Sequence, residues 1–227
     1  MLILELERSI FMLGKFRQTY EKVMMPVGRV LGKTGITPNM ITVFSLIMAA
    51  VTAYIFYIGD LLLGTLFIVL TAFVDMLDGA IARATGKASK FGAVFDHTLD
   101  RYAEWFFYLG LMLGGFLPWL WGYFTLFAMI MASFTRAKAE SVGGLEKCTV
   151  GIAERQEKLI LLIAGILLTY YYPASWMTVL SYFPVSVQNF FVSLNIVSPL
   201  TLLVVIAGVL SHITVIQRLN YTKKNAR

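Results

Sequence analysis

One cysteine in 227 residues, Cys148, excludes an internal disulfide framework and reads as a small residue in a loop. Charge is scarce as well: 14% of the residues are Asp, Glu, Lys or Arg, where a soluble globular domain carries about a quarter. A soluble core of this size could not hide 58% hydrophobic residues at a mean hydropathy of +0.75, so lipid is the expected solvent. No internal repeat and no low-complexity run is legible, and a single membrane domain over residues 1–227 accounts for the pattern. No secretory signal peptide is expected from the N-terminal residues. Its Leu2, Ile3, Leu6, Ile10, Leu13 and Phe16 recur mostly at helical spacing between charges. That pattern predicts an amphipathic helix on the membrane surface within residues 1–36, too polar to span.

Apolar stretches of about 20 residues can cross the hydrocarbon as helices. Six are expected: about Met40–Ile58, Leu61–Ala82, Phe91–Phe116, Leu117–Arg136, Ile152–Tyr171 and Leu194–Ile216, a bundle within 37–219 followed by a tail over 220–227. Pro38 suits a first helical turn, and Gly59-Asp60 suits a tight turn between the first two spans. All 19 Lys and Arg fall in the N-terminal segment, the loop 83–101, the region 136–158 or the tail from Arg218. The connections near 59–60, 115–119 and 172–193 contain none. By the positive-inside rule both termini and every basic loop are cytoplasmic, which an even number of spans permits. The net charge of +6 is then one-sided and favours anionic headgroups and substrates. The uncharged, aromatic segment Tyr172–Ser193 reads as an interfacial re-entrant or surface helix on the opposite side.

Acidic residues inside a membrane are costly and therefore candidates for function. Asp75 and Asp78 are three apart on the second span, and Asp96 and Asp100 four apart on the third. Each pair shares a helix face, and the short linker 85–90 folds the two spans into an antiparallel hairpin. Four carboxylates facing one point would repel into protonation unless divalent cations neutralise them. Oxygen-only ligands suit Mg²⁺ or Mn²⁺, and two ions about 3.5–4 Å apart would serve in-line displacement at phosphorus. Asp75 lies 14 residues past Leu61, about 21 Å of helix rise, which sets the site just beneath the cytoplasmic face. Gly79 and Gly92 leave backbone exposed to a bulky ligand, and Arg83 offers a fork for a pyrophosphate.

These residues read D-x2-D-G-x2-A-R-x8-G-x3-D-x3-D without departure, and so resemble the CDP-alcohol phosphotransferase family. The resemblance implies an all-α membrane enzyme with a surface helix before six spans, acting on CDP-diacylglycerol or CDP-archaeol within the cell membrane, as a homodimer. It implies that Asp75, Asp78, Asp96 and Asp100 are metal ligands, with Asp100 also the general base. It further implies that Asn39, Met40, Ile41, Thr42, Gly79, Arg83 and Ser89 bind the CDP-lipid.

The segments around Arg136, Lys138 and Glu140, around Arg155, and around Gln217-Arg218 resemble those of prokaryotic phosphatidylinositol phosphate synthases and their archaeal ether-lipid counterparts. The implied acceptor is inositol 1-phosphate, its phosphate held by Arg136, Lys138, Arg155 and Arg218. Three guanidinium groups suit a dianion, although any cytoplasmic arginine also satisfies positive-inside anchoring. Glycerol 3-phosphate would satisfy the same arginines; serine would leave them unexplained. A proton or ion transporter is the rival from another class, and it lacks the inverted repeats common there. No nucleic-acid partner is expected. His97 reads as a packing residue, Glu104 as a bundle-facing or supporting acid, and His212 has no evident partner. Gly110 and Gly114 form a G-x-x-x-G spacing that can bring helices close.

Overall fold

The computed structural model describes Met24 and residues 26–173 and 175–226, so most of the expected N-terminal surface helix lies outside the described residues. Among the described residues there are helices and no strand. A short helix α1 (26–33) precedes α2 (Pro38–Tyr57), α3 (Leu61–Thr85), α4 (Lys90–Leu113), α5 (Trp119–Ser141) and α6 (Arg155–Tyr171). Then follow α7 (Ser175–Ser181), α8 (Val185–Ser193) and α9 (Pro199–Asn225). Helices α2, α3 and α9 are long and apolar enough to cross a membrane. Helices α4, α5 and α6 carry charges toward one end, as in Lys90, Asp96 and Asp100 of α4, Arg136, Lys138 and Glu140 of α5, and Arg155, Glu157 and Lys158 of α6.

Local chemistry explains the ends. Asp60 Oδ1 accepts from the Leu63 backbone N–H at 2.9 Å and caps α3. Gly59 turns the chain before it at φ +97°, a conformation that favours glycine. Ser89 Oγ accepts from the Gly92 N–H at 2.9 Å at the start of α4. Gly115, at φ +77°, follows the end of α4, so the helix stops at Leu113 rather than at the expected Phe116. Ser198 caps α9, accepting from the Thr201 N–H at 3.1 Å with Pro199 in the first turn. The last long helix therefore starts at Pro199, five residues after the expected Leu194.

The chain divides into two compact units. The first takes in Met1–Ala49 and Val69–Ala103. Within it α1 lies close on α3: a Cβ on Gly28 would stand 2.7 Å from the Ala80 carbonyl oxygen. Ala80 and Ile81 are buried, while Phe44, Met76 and Val94 are exposed. The second unit takes in Ala50–Ile68 and Glu104–Arg227. Phe56, Leu111, Ile166, Leu200 and Val204 are buried there, and Leu66, Phe127 and Ile160 are exposed. A shell of exposed large apolar residues would be an aggregation liability in water and suits hydrocarbon. Thr125 Oγ1 of α5 donates to the Val204 carbonyl of α9 at 2.9 Å, a side-chain bond between helices that apolar surroundings favour. Gly110 lies where an added Cβ would stand 2.5 Å from Ala53, and Gly114 abuts Phe56, so the G-x-x-x-G stripe is used to pack α4 on α2 within the chain.

The segment 172–193 forms two short helices, α7 and α8. Trp176 Nε1 donates to the Ile196 carbonyl at 2.7 Å, and Trp121 Nε1 to the Leu194 carbonyl at 2.6 Å. Two indoles thus satisfy carbonyls in the turn ahead of α9, where Asn195 takes φ +55°.

Candidate active site

Helix α3 presents Asp75 and Asp78 and helix α4 presents Asp96, all within the first unit. One carboxylate oxygen from each lies within 4.8 Å of the others. Asp78 is buried, and its Oδ2 accepts the Thr42 hydroxyl of α2 at 2.7 Å. Asp100 stands one turn beyond Asp96, also buried, with Arg101 Nη2 at 3.9 Å from its Oδ2. Three of the four predicted ligands thus form the tight group, and Asp100 is placed outside its 4.8 Å limit. Three carboxylates this close repel one another strongly, and their hard oxygens fit a divalent cation of the Mg²⁺ or Mn²⁺ kind.

A cleft of about 200 Å³ opens beside the acids. Of the residues predicted to bind a nucleotide-linked lipid, Asn39, Thr42, Gly79, Arg83 and Ser89 line it, together with Asp78 and Asp96. Its glycines set its width: a Cβ on Gly79 would come 3.2 Å from Arg83 Nη1, and one on Gly92 3.1 Å from Ser89 Oγ. Met40 and Ile41 are elsewhere, in a groove of about 690 Å³ with Ile36, Val43, Phe44 and Ile47. That groove is almost wholly apolar, and Asn39 lines both spaces. Lys87 also lines the cleft and was not singled out from the sequence. Its signal was a second cation in the linker just after Arg83.

The arginines expected to hold a phosphate lie in the second unit, each with an oxygen near its Nε. Arg136 Nε is 3.1 Å from Glu140 Oε1, and Arg155 Nε is 3.4 Å from Glu104 Oε1. Arg218 is buried; its Nε donates to the Val150 carbonyl at 2.9 Å and its Nη1 to the Ala132 carbonyl at 2.6 Å. Lys138 Nζ lies 5.7 Å from the centre of the Phe134 ring, within reach of a cation–π contact. Glu140 lies four residues beyond the apolar stretch that ends at Arg136. Burial pushes its carboxyl up, but the Cys148 N–H, the Arg136 side chain and the charge of Arg218 together hold it below the usual carboxylate range. Glu104 is buried and pairs with Arg155. His212 has aromatic neighbours, Phe124 at 5.0 Å and Phe127 at 6.4 Å between ring centres.

Comparison with known proteins agrees with this arrangement. Over 156 residues the chain is 37% identical to an archaetidylinositol phosphate synthase of Pyrococcus horikoshii, covering 69% of this chain and 82% of that one. The fold is similar to the crystal structure of Mycobacterium tuberculosis phosphatidylinositol phosphate synthase with CDP-DAG bound. The TM-score is 0.70 at 26% identity, over 88% of this chain and 94% of that one. A second structure of that synthase, in complex with manganese and citrate, matches with a TM-score of 0.68 at 26% identity, over 88% of each chain. Residues 35–188, which include the aspartates and the cleft, match the CDP-alcohol phosphatidyltransferase family, and to that family of membrane enzymes of phospholipid biosynthesis this chain belongs.

Proposed function

We propose that this enzyme transfers a phosphatidyl-type group, diacylglycerol phosphate or archaeol phosphate, from a CDP-linked lipid to inositol 1-phosphate and releases CMP. The observation that carries the reading is the group of three carboxylates against a cleft holding Arg83, with an apolar groove sharing Asn39. A nucleotide head needs polar and cationic walls, and a lipid tail needs an apolar one. The names of the relatives, synthases of inositol phosphate lipids, support the choice of acceptor.

In this reading Asn39, Thr42, Gly79, Arg83 and Ser89 hold the CDP moiety while Met40 and Ile41 border the lipid. Asp75, Asp78, Asp96 and Asp100 would hold two divalent cations, Mg²⁺ or Mn²⁺. When bound, such cations would neutralise charge on the phosphoryl oxygens and on the departing CMP. Asp100 accepts the proton of the acceptor hydroxyl. That hydroxyl oxygen forms a bond to the lipid-bearing phosphorus as the phosphorus–oxygen bond to CMP breaks. Arg136, Lys138, Arg155 and Arg218 supply the positive charge that the acceptor's phosphate requires.

The proposal includes one membrane domain over 1–227, six crossings of the cell membrane, cytoplasmic termini and a homodimer. The partition of all 19 Lys and Arg into alternate connections supports the topology. The test is to incubate purified protein with CDP-lipid and, in turn, labelled inositol 1-phosphate, glycerol 3-phosphate and serine. Release of CMP with inositol 1-phosphate above the others is the expected result. Preference for glycerol 3-phosphate would reassign the acceptor, and no release with any of them would refute the activity.

A further inference from the structure

Connections between helices usually lie loose on a surface. The one between α5 and α6, residues 142–154, is tied down instead, and three side chains do it, all within the second unit. Glu140 Oε1 accepts the Cys148 N–H at 2.9 Å. Gln217 Oε1 accepts the Ile152 N–H at 3.0 Å. Arg218 Nε donates to the Val150 carbonyl at 2.9 Å, while Nη1 of the same group holds the Ala132 carbonyl on α5 at 2.6 Å. Close contact accompanies the bonds: a Cβ on Gly151 would stand 2.6 Å from the Thr214 methyl carbon of α9. Cys148 is fully buried as a result.

We infer that Glu140, Gln217 and Arg218 form a clasp whose task is to set Arg136 and Arg155 for the acceptor's phosphate, so that Arg218, besides lending its charge, positions those two groups through this loop. The inference rests on the reading of Arg136 and Arg155 as acceptor-binding groups. Glu140 Oε1 serves both the loop and Arg136 Nε, so moving the loop turns that guanidinium. Arg155 follows directly as the first residue of α6, and its Nε meets Glu104 at 3.4 Å. Two of the N–H groups of Arg218 are already given to backbone carbonyls, and a buried carbonyl left without its donor is costly. A lysine at this position keeps the charge and loses the fork that spans two carbonyls.

The single cysteine makes the clasp measurable apart from activity. In the full-length protein, the rate of thiol labelling at Cys148 reports how often the loop opens. Arg218→Lys should raise that rate by about tenfold, the effect of losing one charge-assisted hydrogen bond on a local opening equilibrium. The KM for inositol 1-phosphate should rise with it, and the KM for the CDP-lipid should stay near the native value. Gln217→Ala and Glu140→Gln leave Arg218 in place and should move both readouts the same way, which keeps the test open if Arg218→Lys does not fold. A raised acceptor KM with Cys148 as protected as in the native protein would leave Arg218 with its phosphate role alone and overturn the inference. Faster labelling with an unchanged acceptor KM would equally overturn it. If the native protein takes no inositol 1-phosphate, the proposed function fails and the role in acceptor positioning falls with it; the labelling rates then still separate a loop clasp from no clasp.

Discussion

The Thr42 hydroxyl donates to Asp78 Oδ2 across 2.7 Å, joining α2 to the acidic face of α3 with both side chains buried. A carboxylate with one oxygen held in this way presents the other in a fixed direction, which is what an ion with demanding geometry needs. Thr42→Val keeps the shape and removes the donor, whereas Thr42→Ser keeps the donor. Titration with Mn²⁺ should show affinity reduced by about 10–100-fold in Thr42→Val and largely retained in Thr42→Ser. Equal binding by both variants would show that the hydroxyl does not orient Asp78.

Asp78→Asn and Asp100→Asn should separate holding a cation from moving a proton. Asp78 belongs to the tight group of oxygens, so its amide should depress Mn²⁺ binding and CMP release together. Asp100 lies outside the 4.8 Å limit, so its amide should cost CMP release about 10²–10⁴-fold while Mn²⁺ binding suffers less than in Asp78→Asn. Near-native turnover in Asp100→Asn would remove it as the base.

The glycine stripe on α4 makes a prediction about stability. Gly110→Leu has no room against Ala53 and should destabilise the protein by about 1–3 kcal/mol or more, read as a lower thermal midpoint. Loss of a dimer at an unchanged midpoint would show instead that the stripe faces a second copy.

Glu140 gives the loop a dependence on acidity. Its carboxyl is held below the usual range in the folded protein, so the stability it contributes is present at neutral pH and is lost as pH falls through that lowered value. Protection of Cys148, followed with a disulfide reagent that reacts in acid, should therefore persist down to the ordinary carboxylate range and fail below it. Glu140→Gln should abolish that acid step. A step of the same size in the variant would assign it to another group.

The acidic centre was legible in the sequence because it depends on spacing. Asp75 and Asp78, and then Asp96, meet through helical period and a short linker. The start of α2 at Pro38 and the turn at Gly59-Asp60 were legible for a similar reason, since both depend on local chemistry. The hold of Arg218 on the backbone was not legible. Its acceptors, Val150 and Ala132, are 68 and 86 residues away, and nothing at the position itself separates a phosphate ligand from a clamp on the backbone. Met40 and Ile41 belong to the same motif as Asn39 and Thr42 yet line a different space, because neighbouring residues on a helix point in different directions.

Asn39 lines both the polar cleft and the greasy groove, so the water-loving and oil-loving rooms meet at a shared side chain. A molecule filling both must carry its polar and oily ends within a few bonds of each other, which admits amphiphiles as a class. Detergent monomers belong to that class. Those with chains slender enough for the groove should inhibit competitively against the donor lipid, and bulky sterol-like ones should not.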